Sequence, residues 1–116
     1  MGNWVIWLDI DIPEIFQRVV YLKKETSSMV KVYHNNIEYN VTISNIREII
    51  RPNFIYGDIV MAKNKVIGEI VDIIYHFKNN EPAFYILSNG RKLKTRYFSN
   101  ELKLIKNTTN NLYDGT

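Results

Sequence analysis

Two residues in the second half of the chain, Asn89 and Gly90, place the strongest constraint on the fold. They stand between two stretches with strand-like composition, Ala83–Leu87 and Arg91–Tyr97. Asn-Gly is a preferred two-residue loop in tight hairpins because both positions take positive φ, which Asn and Gly adopt readily. The sequence therefore predicts an antiparallel hairpin over residues 83–97.

Further strands are predicted on both sides of this hairpin. They are apolar or rich in β-branched residues and lie at Ile59–Ala62, Val66–Tyr75 and Lys103–Ile105. Gly68 is expected to bend the long second segment or to form a bulge in it. Ser99 is expected to cap one helical turn just before the last strand.

This order of elements predicts a mainly all-β protein. Residues 52–106 are expected to form a small five-stranded β-barrel with a short helical turn before its last strand. Residues 1–50 are expected to form a β-rich N-terminal half, and the polar residues 107–116 a loose tail.

The second half resembles the small barrels of the Src-homology-3, Tudor and KOW kind. The resemblance rests on Phe54, the Gly57-Asp58 turn, the Asn89-Gly90 hairpin and Tyr97-Phe98-Ser99 leading to Leu102. It covers about half of the chain. It implies a binding module that engages peptides, proteins or nucleic acid across exposed strands and loops.

The first half has the features of a degenerate copy of the second, which would make a tandem pair. The alignable pieces are 34–37 with 88–91, 37–43 with 91–97, Ser44-Asn45 with Ser99-Asn100, and Pro13 and Val19-Val20 with Pro52 and Ile59-Val60. In this alignment the first copy lacks a counterpart of strand 66–75, and residues 4–10 would replace it.

Residues 11–24 allow two interpretations. Asp11 and Glu14 match a helix capping box, and the apolar residues that follow fall near helical spacing. However, Val19, Val20 and Tyr21 favour a strand. The sequence leaves both open.

The predicted hairpin has two faces because side chains alternate along strands. The core face is expected to hold Phe84, Ile86, Leu93, Thr95 and Tyr97. The outer face, the candidate binding site, is expected to hold Tyr85, Leu87, Lys92, Lys94 and Arg96. Three cations beside a tyrosine suit a phosphate backbone or an acidic protein segment, but lysines also keep a solvated strand soluble.

The charge distribution favours an acidic partner for the second half. Residues 1–50 carry five Lys/Arg and six Asp/Glu, whereas residues 51–116 carry ten and six. The first hairpin is expected to pair Tyr33 with Glu38, Lys31 with Asn40 and Met29 with Thr42. This nearly neutral surface would suit packing against the other half or a homodimer contact.

Few residues suggest catalysis. Asp9 and Asp11 match the aspartate pair of some phosphoryl-transfer hydrolases, but those enzymes need a larger α/β domain, so a solvated turn is expected. His34 and His76 are isolated in sequence and would share a site only if the two halves brought their loops together. Without cysteines or a glycine-rich phosphate loop, we expect no enzyme, no metal and no cofactor.

Two functions remain as hypotheses. The first is a non-enzymatic module that binds nucleic acid or an acidic protein surface through the 83–97 hairpin. The second is a small inhibitor or immunity-type protein from a phage or mobile element that blocks one partner protein. Its candidate aromatic anchors are Trp4, Trp7 and Tyr85. The Asn-, Ile-, Lys- and Tyr-rich composition suits an AT-rich bacterial or phage genome. No segment is apolar enough to span a membrane, so a cytoplasmic protein is expected.

Overall fold

Two antiparallel sheets make up the protein. The computed structural model describes residues 3–24, 30–43 and 45–113. The first sheet contains β1 (Trp4–Trp7), β2 (Val19–Lys24), β3 (Val30–His34), β4 (Ile37–Val41) and β5 (Ile46–Glu48). The second contains β6 (Ile59–Ala62), β7 (Ile67–His76), β8 (Glu81–Ser88), β9 (Arg91–Lys92), β10 (Tyr97–Phe98) and β11 (Leu102–Lys106). Single 3₁₀ turns lie at Pro13–Ile15, Ser99–Glu101 and Asn111–Tyr113. The all-β prediction is confirmed.

The two sheets have the same strand order. It is β4-β3-β2-β1-β5 in the first sheet and β10-β8-β7-β6-β11 in the second, where β9 also pairs with β8. In each, a meander of neighbouring strands is followed by a last strand that returns to pair with the first. Among the described residues, no pairing joins the edge strands β10 and β11, so the second sheet does not close into the expected barrel.

This shared order corrects the alignment of the two halves. Val19 and Val20 lie in β2, which takes the position of β7 rather than that of β6. Strand β1, with Trp4 and Trp7, takes the position of β6. The long strand β7 therefore has a counterpart in the first sheet.

Residues 11–24 contain one 3₁₀ turn and one strand. Pro13 begins the turn, and the residue before it, Ile12, makes no side-chain capping hydrogen bond. The predicted Asp11–Glu14 capping box therefore does not form. The chain then enters β2 at Val19 and pairs with β1 and β3. Val19 and Val20 pair with β1, and Tyr21 pairs with both β1 and β3, which decides in favour of the strand.

The 83–97 hairpin forms as predicted only near its tip. Ser88 pairs with Arg91 and Leu87 with Lys92, which confirms the two-residue loop. Further along, Phe84 pairs with Tyr97 instead of Thr95, a shift of two residues. The large Tyr97 side chain is buried whereas Thr95 is exposed, so burying the aromatic ring outweighs continuous pairing.

Two further local predictions need correction. The bulge in β7 lies between Ile70 and Asp72, not at Gly68. Gly68 instead lies against the Leu87 carbonyl, where a Cβ atom would clash. Ser99 does not cap the 3₁₀ turn. The Glu101 carboxylate accepts the backbone N–H of Phe98 at 2.8 Å, which does the capping.

A single hydrophobic cluster joins the sheets. It includes Trp4 and Tyr21 of the first sheet and Ile73 and Phe84 of the second. Backbone contacts add to it: the N–H of Tyr75 donates to the Gln17 carbonyl at 3.0 Å. Val5, Trp7 and Val20 belong to a smaller cluster on the other face of β1.

The first hairpin, β3–β4, follows its predicted register. Tyr33 pairs with Glu38 and Lys31 with Asn40. The predicted partner of Thr42, Met29, lies outside the described residues. No helix in the described part of the chain is long and apolar enough to cross a membrane.

The segment from the end of β11 to Tyr113 is held against the protein and is not the loose tail that the sequence predicts. The Asp58 carboxylate accepts the Thr108 N–H at 2.7 Å, and Tyr113 is buried. The Tyr113 ring centroid lies 5.2 Å from that of Trp4, and its hydroxyl donates to the Asn35 carbonyl at 2.8 Å. Burial of this hydroxyl raises the pKa of Tyr113 above its ordinary value. One aromatic anchor thus fixes a polar segment onto the first sheet.

Replacing Tyr113 by Ala should lower the free energy of unfolding by roughly 3 kcal/mol, because a buried ring and its hydrogen bond are lost. Urea denaturation measures this. The exposed neighbour Asn111, replaced by Ala, is the control and should change little. A Tyr113→Ala protein as stable as the wild type would show that the segment does not support the fold.

Candidate functional site

A buried carboxylate, Asp72, joins the two sheets. His34 Nε2 of β3 lies 2.8 Å from Asp72 Oδ1, and Lys92 Nζ of β9 lies 2.9 Å from Asp72 Oδ2. Arg18 Nε, just before β2, lies 3.7 Å from Oδ1. Because an ionised carboxylate only accepts hydrogen bonds, His34 donates through Nε2. Groups from both halves of the chain therefore meet at one side chain.

The surroundings of Asp72 keep it ionised. Burial alone would raise the pKa, because it disfavours the charged form. Hydrogen bonds from His34 and Lys92 outweigh this and hold the pKa of Asp72 at about 2. The carboxylate is thus a permanent charge at neutral pH, and it is compensated by the cations around it.

Lys92 and Tyr85, two of the candidate binding residues, belong to this cluster. The Lys92 ammonium lies 5.5 Å from the centroid of the Tyr85 ring while it binds Asp72. It is a partly exposed cation whose charge is already matched by a carboxylate. Leu87, which pairs with Lys92, lies on the same face and is half-buried.

The other two predicted cations lie in the irregular part of the hairpin. Lys94 and Arg96 are exposed and lie between β9 and β10, where the pairing with β8 is interrupted. The Arg96 guanidinium lies 5.3 Å from the centroid of the Phe98 ring. The five predicted residues therefore do not form one continuous strand face, because the two-residue shift separates Lys92 from Arg96.

Trp4 and Trp7 cannot serve as exposed contact anchors. Both are fully buried, on opposite faces of β1, and each packs in a different cluster. The inhibitor hypothesis therefore loses two of its three aromatic anchors. Trp4 packs in the cluster that joins the two sheets, whereas Trp7 packs in the smaller cluster of the first half.

A set of exposed cations, of which the sequence predicted only Lys94 as a binding residue, lies at one end of the second sheet. In a meander, the β6–β7 and β8–β9 turns lie at the same end, because neighbouring strands run in opposite directions. The Ser88 hydroxyl donates to the Ile67 carbonyl at 2.8 Å, and Val66 and Arg91 line a groove of about 390 Å³. We call this set the basic end; it consists of Lys63, Lys65, Arg91, Lys94 and Lys103.

The carboxylates of the second half do little to balance these cations at the surface. Of its six acidic residues, Asp58 and Asp72 are buried. The Glu101 carboxylate is bound to the Phe98 backbone. Glu69 and Glu81 remain partly exposed, and the described surface of the second half carries more cations than carboxylates.

The two histidines do not share a site. His34 binds Asp72, whereas His76 Nδ1 accepts the Asn79 N–H at 3.1 Å. Near the first sheet, Asp9 Oδ1 accepts the Asp11 N–H at 3.1 Å, which makes a local turn. In the described part of the chain, no three His, Cys, Asp or Glu side chains are close enough to hold a metal ion.

A groove of about 500 Å³ lies where residues 106–110 meet the tip of the β3–β4 hairpin. Its walls are mostly amides and hydroxyls. The Asn110 amide donates to Asn36, and the Asn110 N–H donates to the Thr108 hydroxyl. These groups therefore already join the chain segments around the groove.

Comparison with known families places the chain but does not assign it an activity. Residues 10–103 match the Family of unknown function (DUF6960), and the chain belongs to this family. The match covers Asp72 and its partners His34, Arg18 and Lys92. No curated protein matches the chain, and no solved structure does.

Replacing Asp72 by Asn should lower the free energy of unfolding by about 3 kcal/mol, because it leaves His34 and Lys92 without their charged acceptor. Denaturation in urea at neutral pH measures the loss. The exposed Lys94, replaced by Ala, should change stability by less than about 0.5 kcal/mol. Equal stability of the two variants would contradict the structural role of Asp72.

The same carboxylate predicts a pH dependence. The pKa of Asp72 is depressed from 3.8 to about 2 in the folded protein. Its stabilisation is therefore complete above pH 3.8 and is lost as the pH falls through about 2. The stability difference between wild type and Asp72→Asn should shrink by about 2 kcal/mol over this range. A constant difference would show that Asp72 has an ordinary pKa.

Proposed function

We propose that the protein is a non-enzymatic binding module that holds an acidic partner at the 83–97 hairpin and the turn beside it. The observation that carries this proposal is the basic end. Four of its five exposed cations lie on the β6–β7 turn or just after the β8–β9 turn, and Lys103 lies near the start of β11; two carboxylates of the same half are buried. Clustered cations raise the local concentration of anionic partners and speed their association.

The pairing of Lys92 supports a different set of hairpin residues for contact with the partner. Lys92 is committed to Asp72, so the exposed Arg91 and Lys94 take its place. Lys63 and Lys65 extend the same surface across the β6–β7 turn. Removing Lys92 would act mainly on stability, whereas removing Lys94 would act mainly on binding.

We also propose that each sheet is an open form of the Src-homology-3-like barrel, in two imperfect copies. The shared strand order supports this, since both sheets have a meander and a returning last strand. The 3₁₀ turn at Ser99–Glu101 before β11 supports it for the second copy. Small barrels of this kind present their loops and outer strands to partners, which agrees with the location of the basic end.

The test compares two pairs of lysines that change the net charge equally. Lys65→Ala with Lys94→Ala removes charge from the basic end, whereas Lys23→Ala with Lys78→Ala removes it elsewhere. The probes are a labelled polyglutamate peptide and a labelled single-stranded oligonucleotide, titrated over a salt series. The first pair should weaken binding roughly tenfold and flatten the salt dependence, and the second should have little effect.

Two outcomes would contradict the proposal. Equal losses of affinity in the two double variants would mean that binding depends on the net charge of the protein and not on the basic end. The absence of measurable binding to either probe at low salt would mean that this surface does not hold anionic partners.

A further inference from the structure

The outer face of the second sheet carries a strip of apolar side chains. Strand pairing places Met61 opposite Ile67, and Glu69 opposite both Ile59 and Leu87. Directly paired residues point to the same side of a sheet. We call Ile59, Met61, Ile67 and Leu87 the outer strip. Ile67 is 51% exposed and the others are half-buried.

The first sheet covers only one part of this face. Tyr85 and Asp72 lie on the same side of the sheet as Leu87, further along β8 and β7. Asp72 is buried there under His34 and Arg18 of the first half. The outer strip lies beyond this covered part, towards the basic end.

The border of the outer strip is basic. Lys103 pairs with Met61 and Lys106 with Ile59 on the β11 side, and both lysines are exposed. Lys92 pairs with Leu87 on the opposite side. Glu69 is the acidic residue within this part of the face. The strip thus has apolar side chains around Glu69 and exposed cations along its β11 side, whereas Lys92 on the other side is paired with Asp72.

We propose that the outer strip docks an acidic protein segment that carries apolar side chains between its carboxylates. This inference rests on the proposed function, because it names the kind of acidic partner. The apolar side chains of the segment would cover Met61, Ile67 and Leu87, while its carboxylates would meet Lys103, Lys106 and the adjoining basic end.

The composition of the strip favours a protein over the other occupants. A protein interface buries apolar side chains and surrounds them with polar ones, and this face offers apolar side chains beside exposed lysines. A nucleic acid strand would place charged phosphates over Met61 and Ile67. The phosphates would lose water there without gaining a hydrogen bond or an opposite charge, which costs free energy. A second copy of the chain would bring Lys103 and Lys106 towards cations of the same sign, which costs energy.

The test uses three probes of equal charge: a polyglutamate peptide, a glutamate-rich peptide with leucine after every second glutamate, and a single-stranded oligonucleotide. The wild type should bind the leucine-containing peptide roughly tenfold more tightly than polyglutamate, because leucine side chains are buried on the strip. Ile67→Ser with Leu87→Ser should abolish this difference while leaving polyglutamate binding unchanged.

The control variant carries Ile37→Ser and Ile43→Ser, two exposed isoleucines of the first half. It should keep the preference for the leucine-containing peptide. Urea denaturation of each variant verifies that it folds.

The outcomes separate this inference from the proposed function. Equal binding of the two peptides by the wild type would overturn the outer strip but leave an acidic partner in place. A preference for leucine that survives in Ile67→Ser with Leu87→Ser, or tighter binding of the oligonucleotide than of either peptide, would also overturn it. Failure to bind any of the three would overturn the proposed function itself.

Discussion

The pairing of the Asp72 carboxylate with His34 and Lys92 is the interaction on which the arrangement of the two sheets depends. A buried carboxylate is costly unless cations and hydrogen-bond donors surround it. Here the donors come from both halves, so the carboxylate is satisfied only when the halves are in contact. The bulge in β7, just before Asp72, lies where the regular pairing with β8 shifts. The hydrophobic cluster around Trp4 and Phe84 supplies the apolar part of the same contact.

This constraint also determines which surface is available for binding. Lys92 is the central cation of the predicted hairpin face, but its charge neutralises Asp72. Within the described residues, the five cations of the basic end make no ion pair and are exposed. At the same time His34 and Arg18 of the first half cover the face around Asp72, and the outer strip lies beyond them. One ion pair thus separates a structural part of the second sheet from the part that we propose binds.

Features that depend only on residues adjacent in the sequence were predictable. The Asn89-Gly90 loop, the helical turn near Ser99 and the strands around them follow from turn chemistry and composition. The register beyond Leu93 was not predictable, because it is decided by burial of Tyr97 in a core contributed by other strands. The burial of Tyr113 was not predictable for the same reason. It is a single aromatic residue in a polar segment, and its ring is buried only because it packs against Trp4 and Tyr21 of the first sheet.

The candidate site shows the same limit. Sequence alternation correctly placed Tyr85, Leu87 and Lys92 on one face, but not the carboxylate that pairs with Lys92. Asp72 lies between Val71 and Ile73 in a strand rich in β-branched residues, and this was the signal in the sequence that a buried ion pair was present. Its partners His34 and Arg18 are distant in sequence and become neighbours only through the packing of β2 against β7. The repeated strand order was hidden for a related reason: equivalent strands differ in length and sequence.

The most direct test of this account is whether the two sheets unfold together. Both tryptophans lie in β1, so tryptophan fluorescence reports on the first sheet, while amide NMR signals of β7 and β8 report on the second. Urea denaturation followed by both probes should give coincident transitions in the wild type, because the sheets share one core and the Asp72 pairing. Two separate midpoints in the wild type would contradict the claim that the sheets form one cooperative unit.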